Sequence, residues 1–114
     1  MSQTINWTVG QGETWSLNLT WKDSSGTPVN LTGYSARMQA RETYAATSTV
    51  LSLTSGSGIT LGGTAGTIGI SVGAATTAAI GAATYVWDLE VVSGGSAVTR
   101  LVQGNLVVTP EVTR

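Results

Sequence analysis

The chain has 114 residues, enough to bury a sizeable core, and we expect residues 1–114 to form a single domain. It contains no cysteine and no histidine, which excludes disulfides, thiolate nucleophiles and the usual metal ligand and general base. Five basic and six acidic residues give a net charge of −1 without a run of like sign, so no nucleic-acid partner is expected.

Alternation of polar and apolar residues predicts β-strands along most of the chain. We expect strands at residues 5–9, 13–21, 34–41, 50–53, 59–61, 67–72, 84–92 and 97–108. The alanine-rich segment 73–83 predicts a single helical turn between two of them. Short strands separated by frequent turn residues predict an all-β fold, an immunoglobulin-like antiparallel β-sandwich of about 7–9 strands with one short helical crossing.

Residues 11–41 carry the clearest pattern of strands and turns. The first strand places its apolar residues on one face, namely Trp15, Leu17, Leu19 and Trp21. The second places polar residues on its outer face, namely Arg37, Gln39 and Arg41. Between the strands, Asp23 and Gly26 are typical of a tight reversal of the chain.

Few residues suggest a catalytic or metal-binding role. Asp88 and Glu90 lie two apart in a strand and share a face, which we interpret as a solvated surface with Arg100 as a cross-strand partner. Lys22, the only lysine, is expected in an exposed turn, where it stays protonated. We therefore predict no catalytic residues, no cofactor and no metal site, and a protein that is not an enzyme.

The aromatic residues fall into two groups. Trp15, Trp21, Tyr85 and Trp87 lie on the apolar faces of their strands and are expected in the core. Trp7, near the N-terminus, and Tyr44, in a featureless loop, are expected to be exposed interface anchors. Together with the outward-facing Arg37, Gln39 and Arg41, they form the candidate interface.

The order of features in residues 11–41 resembles a bacteriophage family, the N-terminal domain of baseplate upper proteins and related small virion proteins. The matching residues are Gly12, Glu13, Thr14, Trp15, Asp23, Gly26, Pro28, Val29, Asn30, Leu31, Thr32 and Gly33. The similarity continues through segments 59–61, 67–72 and 85–89. The resemblance implies an immunoglobulin-like sandwich with a structural role and no catalytic residues.

From this resemblance we expect a non-enzymatic structural protein of a tailed phage virion, docked at the tail, baseplate or fibre attachment site. The protein would be made in the host cytoplasm, since no signal peptide or membrane-spanning stretch is visible, and would have no membrane partner. Its partners would be other virion proteins, such as tail, fibre or major capsid subunits, in a homo-oligomer or a symmetric array. Two alternatives remain: a capsid decoration protein, and a carbohydrate-binding module that uses Trp7, Tyr44 and the Asp88 and Glu90 pair.

Overall fold

A computed structural model of the chain describes residues 3–112. The strands are β1 (Gln3–Thr4), β2 (Trp7–Gly10), β3 (Trp15–Thr20), β4 (Ser35–Arg41), β5 (Leu51–Ser55), β6 (Gly58–Leu61), β7 (Thr67–Val72), β8 (Ala83–Val92) and β9 (Val98–Thr109). A 3-10 turn at Gly63–Ala65 precedes β7, and the short helix α1 (Ala74–Ala78) lies between β7 and β8. The predictions of an all-β fold and of one helical turn in segment 73–83 are confirmed.

All of these strands belong to one curled sheet of mixed direction. The hydrogen-bonded order is β1, β9, β8, β4, β5, β6, β7, β3, and β2 pairs with β9 beside β1. The strands are not uniformly antiparallel, because β1 and β2 run parallel to β9, and β5 runs parallel to β6. The sheet curls into a sandwich whose two layers are joined by hydrogen bonds through β5 and β6. On the other side, the terminal strands β1 and β3 are not hydrogen-bonded to each other.

The buried face of the sheet follows the period of two in the sequence. In β8, Tyr85, Trp87, Leu89 and Val91 are all buried. In β9 the alternation breaks, because Leu101 and Val102 are both buried although they are neighbours in sequence. The pairing of β8 with β9 shifts register between Leu89 and Glu90, and this irregularity allows two consecutive side chains to reach the core.

The N-terminal segment is pinned across β9 at a glycine. Ile5 donates its N–H to the Gln103 carbonyl at 2.9 Å, and the Trp87 indole Nε1 donates to the Ile5 carbonyl at 3.1 Å. A Cβ atom on Gly104 would overlap that same carbonyl oxygen. Glycine is therefore required at this position because another backbone approaches closely.

The prediction that Trp7 is exposed is wrong. Trp7 is only 9% exposed and packs between two other indoles, Trp15 at 6.0 Å and Trp87 at 5.6 Å between ring centroids. In the pairing of β2 with β9, Trp7 lies opposite the buried Leu106, which places its side chain on the core face of the curled sheet. Position near a chain end does not predict exposure when the terminal strand joins the sheet.

The turn residues between β3 and β4 adopt the conformations that the sequence predicts. The Asp23 carboxylate accepts hydrogen bonds from the Ser25 and Thr27 N–H groups at 2.9 and 3.0 Å, and Gly26 has a φ of 82°. The two strands nevertheless do not pair with each other, since β3 pairs with β7 while β4 pairs with β5 and β8. The local reversal ends in a single bridge between Lys22 and Pro28, and the chain then crosses to the other layer.

Candidate docking surfaces

One surface of interest is the outer side of β4, β8 and β9, which we call the polar face. It carries Arg37, Gln39, Arg41, Asp88, Glu90, Arg100 and Gln103. β4 and β8 are neighbours in the middle of the sheet, so their side chains are held on a rigid support. Register places Arg37 opposite Glu90 and Gln39 opposite Asp88.

The charges of the polar face are largely paired within it. Arg37 Nε lies 2.8 Å from Glu90 Oε1, and Arg100 Nε lies 3.5 Å from Asp88 Oδ2. The predicted partnership of Arg100 with one of the two carboxylates is thus confirmed for Asp88, whereas Glu90 pairs with Arg37 on the opposite neighbour. Both acids are engaged by guanidinium groups, an arrangement that opposes a role as free catalytic acid and base.

Arg41 differs from the other arginines of the polar face. Its Nη2 donates to Gln39 Oε1 at 2.9 Å, and its Nη1 donates to the Ala46 carbonyl at 2.8 Å. In the described part of the chain it contacts no carboxylate. The guanidinium therefore holds the loop after β4, which carries the 79% exposed Tyr44.

A hollow of about 240 Å³ opens beside this loop. Its polar lining comes from Gln39, Arg41, Tyr44, Asp88, Arg100 and Gln103. Burial raises the pKa of the Asp88 carboxyl above its ordinary value, and the nearby Glu90 charge adds to this effect, while the surrounding arginines act in the opposite direction. The structure thus brings Tyr44, Gln39 and Arg41 together, with Arg37 farther along β4 and Trp7 in the core.

A second surface, which sequence reasoning missed, is the gap between β1 and β9 on one layer and β3 and β7 on the other. We call it the open side. It forms a cleft of about 740 Å³ lined by Gln3, Leu19, Thr20, Trp21, Lys22, Asp23, Ser24, Ile68, Leu101 and Val102. Two features of the sequence could have indicated this surface. The consecutive apolar residues Leu101 and Val102 break the alternation of β9. The apolar face of β3 continues to Trp21, beyond the residues that pair with β7.

Neither a metal-binding cluster nor a membrane-spanning helix is found among the described residues. Within residues 3–112, no group of three or more acidic side chains is placed to hold a metal ion. No helix in the same part of the chain is long and apolar enough to cross a membrane. No protein-family model matches the sequence, and no curated protein gives a significant match to it.

Proposed function

We propose that this chain is a non-enzymatic structural protein of a tailed bacteriophage virion, which acts by protein–protein docking at the tail, baseplate or fibre attachment site. The resemblance of residues 11–41 to phage virion proteins supports the setting. The docking surface is the polar face together with Tyr44. Its partners are other virion proteins.

The observation that supports this proposal is the position of Tyr44. It lies in the loop beside Arg41, the last residue of the central strand β4. Tyrosine and arginine are the residue types that most often dominate binding energy at interfaces. Tyr44 is 79% exposed, and the loop that carries it is fixed by the hydrogen bond from Arg41 to the Ala46 carbonyl. A fixed loop loses little conformational freedom on binding, so an exposed ring on it suits a docking contact.

Purified particles of the phage that encodes this chain test the proposal. Quantitative mass spectrometry should find roughly 3–18 copies for a tail component, as ring symmetries require, and hundreds for a protein that decorates the capsid lattice. Absence from the particles would overturn the proposal, and hundreds of copies would replace the tail assignment by the head.

Variants of the docking surface separate binding from folding. Tyr44→Ala and Arg41→Ala should lower incorporation into particles, whereas Thr60→Ala should leave it unchanged. Thr60 is a matched control because it is an exposed strand residue in β6, away from β4 and β8 in the sheet order. Normal incorporation of both Tyr44→Ala and Arg41→Ala would remove the polar face from the proposal.

A carbohydrate-binding module is the second candidate, because the polar hollow brings Tyr44 and Asp88 together. An aromatic ring is able to stack on a sugar, and neighbouring amide and carboxylate oxygens are able to accept hydrogen bonds from its hydroxyl groups. Titration with purified host polysaccharide followed by calorimetry tests this role. Binding that is lost in Tyr44→Ala and in Asp88→Asn would favour it over docking, and heat that stays at the dilution level would exclude it.

A further inference from the structure

β3 is an edge strand whose main chain is unpaired on one side. Within residues 3–112 it pairs only with β7. The Trp21 N–H donates to the Gly66 carbonyl on the β7 side at 2.8 Å. Because main-chain groups alternate in direction along a strand, residues 15, 17 and 19 face β7, and the N–H and C=O groups of Ser16, Asn18 and Thr20 point into the open side.

The side chains of β3 indicate that a neighbouring strand is missing at the same place. Leu17 and Leu19 lie on the core face, yet both are only half-buried. Trp15 on the same face is 2% exposed, because Trp7 covers it. The uncovered part of the face therefore begins after Trp15 and extends to the half-buried Trp21, which lines the cleft of the open side.

This edge lacks the usual protection against pairing with another chain. Natural edge strands carry a charge, a proline or a bulge that prevents the addition of a further strand. β3 has the sequence WSLNLT, without charge or proline, and it pairs with β7 in unbroken register over six residue pairs. Such an edge is suited to accept another strand.

We propose that β3 pairs antiparallel with β3 of a second copy of this chain, about a two-fold axis that passes through Asn18. This register places Ser16 opposite the partner's Thr20 and Leu17 opposite the partner's Leu19. Asn18 faces the partner's Asn18. Each contact joins residues of the same kind, so the strand is complementary to itself, as a two-fold interface requires.

The hydrogen-bonding groups fit the same register. Every residue with unpaired main-chain groups, Ser16, Asn18 or Thr20, meets another such residue, and no group already bonded to β7 is needed. The half-exposed leucines become covered by the leucines of the partner. The dimer would join two sheets into one that continues from β7 through both copies of β3.

The charged residues next to β3 lie outside the paired residues 16–20. In the same register Lys22 lies opposite the partner's Thr14, and Asp23 lies opposite the partner's Glu13. The Asp23 carboxylate accepts hydrogen bonds from the N–H groups of Ser25 and Thr27, which hold it in its own turn. A self-pairing without like-charge contacts inside the ladder favours a second copy over a charged partner strand.

Light scattering coupled to size-exclusion chromatography tests the inference on the full chain. The wild-type protein should elute with twice the monomer mass, and Asn18→Lys should elute as a monomer because the two lysines would face each other. Asn105→Lys should remain dimeric, since residue 105 is an exposed asparagine in β9, which is paired with β8. A monomeric wild-type protein at all concentrations would overturn the inference and leave the open side to a strand of another protein.

A spin label gives a second measurement that does not depend on a disruptive substitution. The chain has no cysteine, so Asn18→Cys and Asn105→Cys each provide a single labelling site. The label at position 18 should show dipolar broadening that disappears on dilution with unlabelled protein, and the label at position 105 should show none. A dimer without broadening at position 18 would place the interface elsewhere. The result does not depend on the virion role, because it is read on the isolated protein.

Discussion

Trp7 and Trp15 pack edge to face, with ring centroids 6.0 Å apart, although their strands lie at opposite ends of the sheet. Their contact holds the two layers of the curled sheet together beside the open side. The Trp15 indole Nε1 adds a hydrogen bond to the Gly10 carbonyl at 2.6 Å. At this end of the sandwich, β2 and β3 are therefore joined by the connecting residues 11–14 and by the packing of the two indoles, without a hydrogen-bonded ladder between the strands.

Replacement of Trp15 should test this closure. We expect Trp15→Ala to lower the free energy of unfolding by about 3–5 kcal/mol, because it leaves a cavity and removes the contact with Trp7. Urea denaturation measures the change. Tyr44→Ala serves as the control and should change the value by less than about 0.5 kcal/mol, since Tyr44 is exposed. A small effect at Trp15 would show that the layers are held elsewhere.

Gly104→Ala should displace the N-terminal segment. The added methyl group would overlap the Ile5 carbonyl oxygen, so either β1 separates from β9 or the backbone shifts. We expect a loss of about 1–3 kcal/mol in the free energy of unfolding and faster hydrogen exchange at Ile5. Gly94→Ala is the matched control, because its nearest contact, the Gly33 carbonyl oxygen at 3.6 Å, is an ordinary one. Equal stability of the two variants would contradict the close approach.

The ion pair between Arg37 and Glu90 should contribute little to stability. The Arg37 side chain is 50% exposed, so solvent screens its charge. A double-mutant cycle with Arg37→Ala and Glu90→Ala should give a coupling below about 1 kcal/mol that decreases as salt is added. The same cycle with Thr60→Ala in place of Glu90→Ala should give no coupling. A large, salt-independent coupling would mean that the pair is shielded from water.

Asp88 should make stability decrease as the pH rises. Its pKa is raised in the folded protein above the ordinary 3.8, chiefly by burial, so the folded state binds the proton more tightly than the unfolded state does. The contribution is present below pH 3.8 and is lost as the pH rises through the raised folded pKa. Asp88→Asn should remove this dependence.

Comparison of urea denaturation curves at several pH values measures the effect. Relative to the wild type, Asp88→Asn should gain stability between acidic pH and pH 7, because the neutral amide carries no cost of burying a charge. Glu42→Gln, at an exposed position whose charge is not among those that shift the Asp88 pKa, is the control for the loss of a carboxylate. A gain that is already present at acidic pH would assign the effect to packing instead of ionisation.

The period of two in the sequence determined most of the strands. Thr67–Val72 was predicted to the residue, and the limits of the other long strands were close, because each strand has one face in water and one in the core. The turn at Asp23 and Gly26 was also predictable, since an aspartate side chain caps its own backbone and glycine accepts a positive φ. The outward positions of Arg37, Gln39 and Arg41 follow from the same alternation.

The tertiary structure alone decided which strands pair and where the sheet stays open. Local alternation states which face of a strand is buried, but it contains no information about the neighbour that buries it. For this reason β3 pairs with the distant β7, Trp7 enters the core, and Leu101 joins Val102 at the floor of the open side. The unpaired edge at Asn18 exists only because the curl of the sheet ends before β1 and β3 meet.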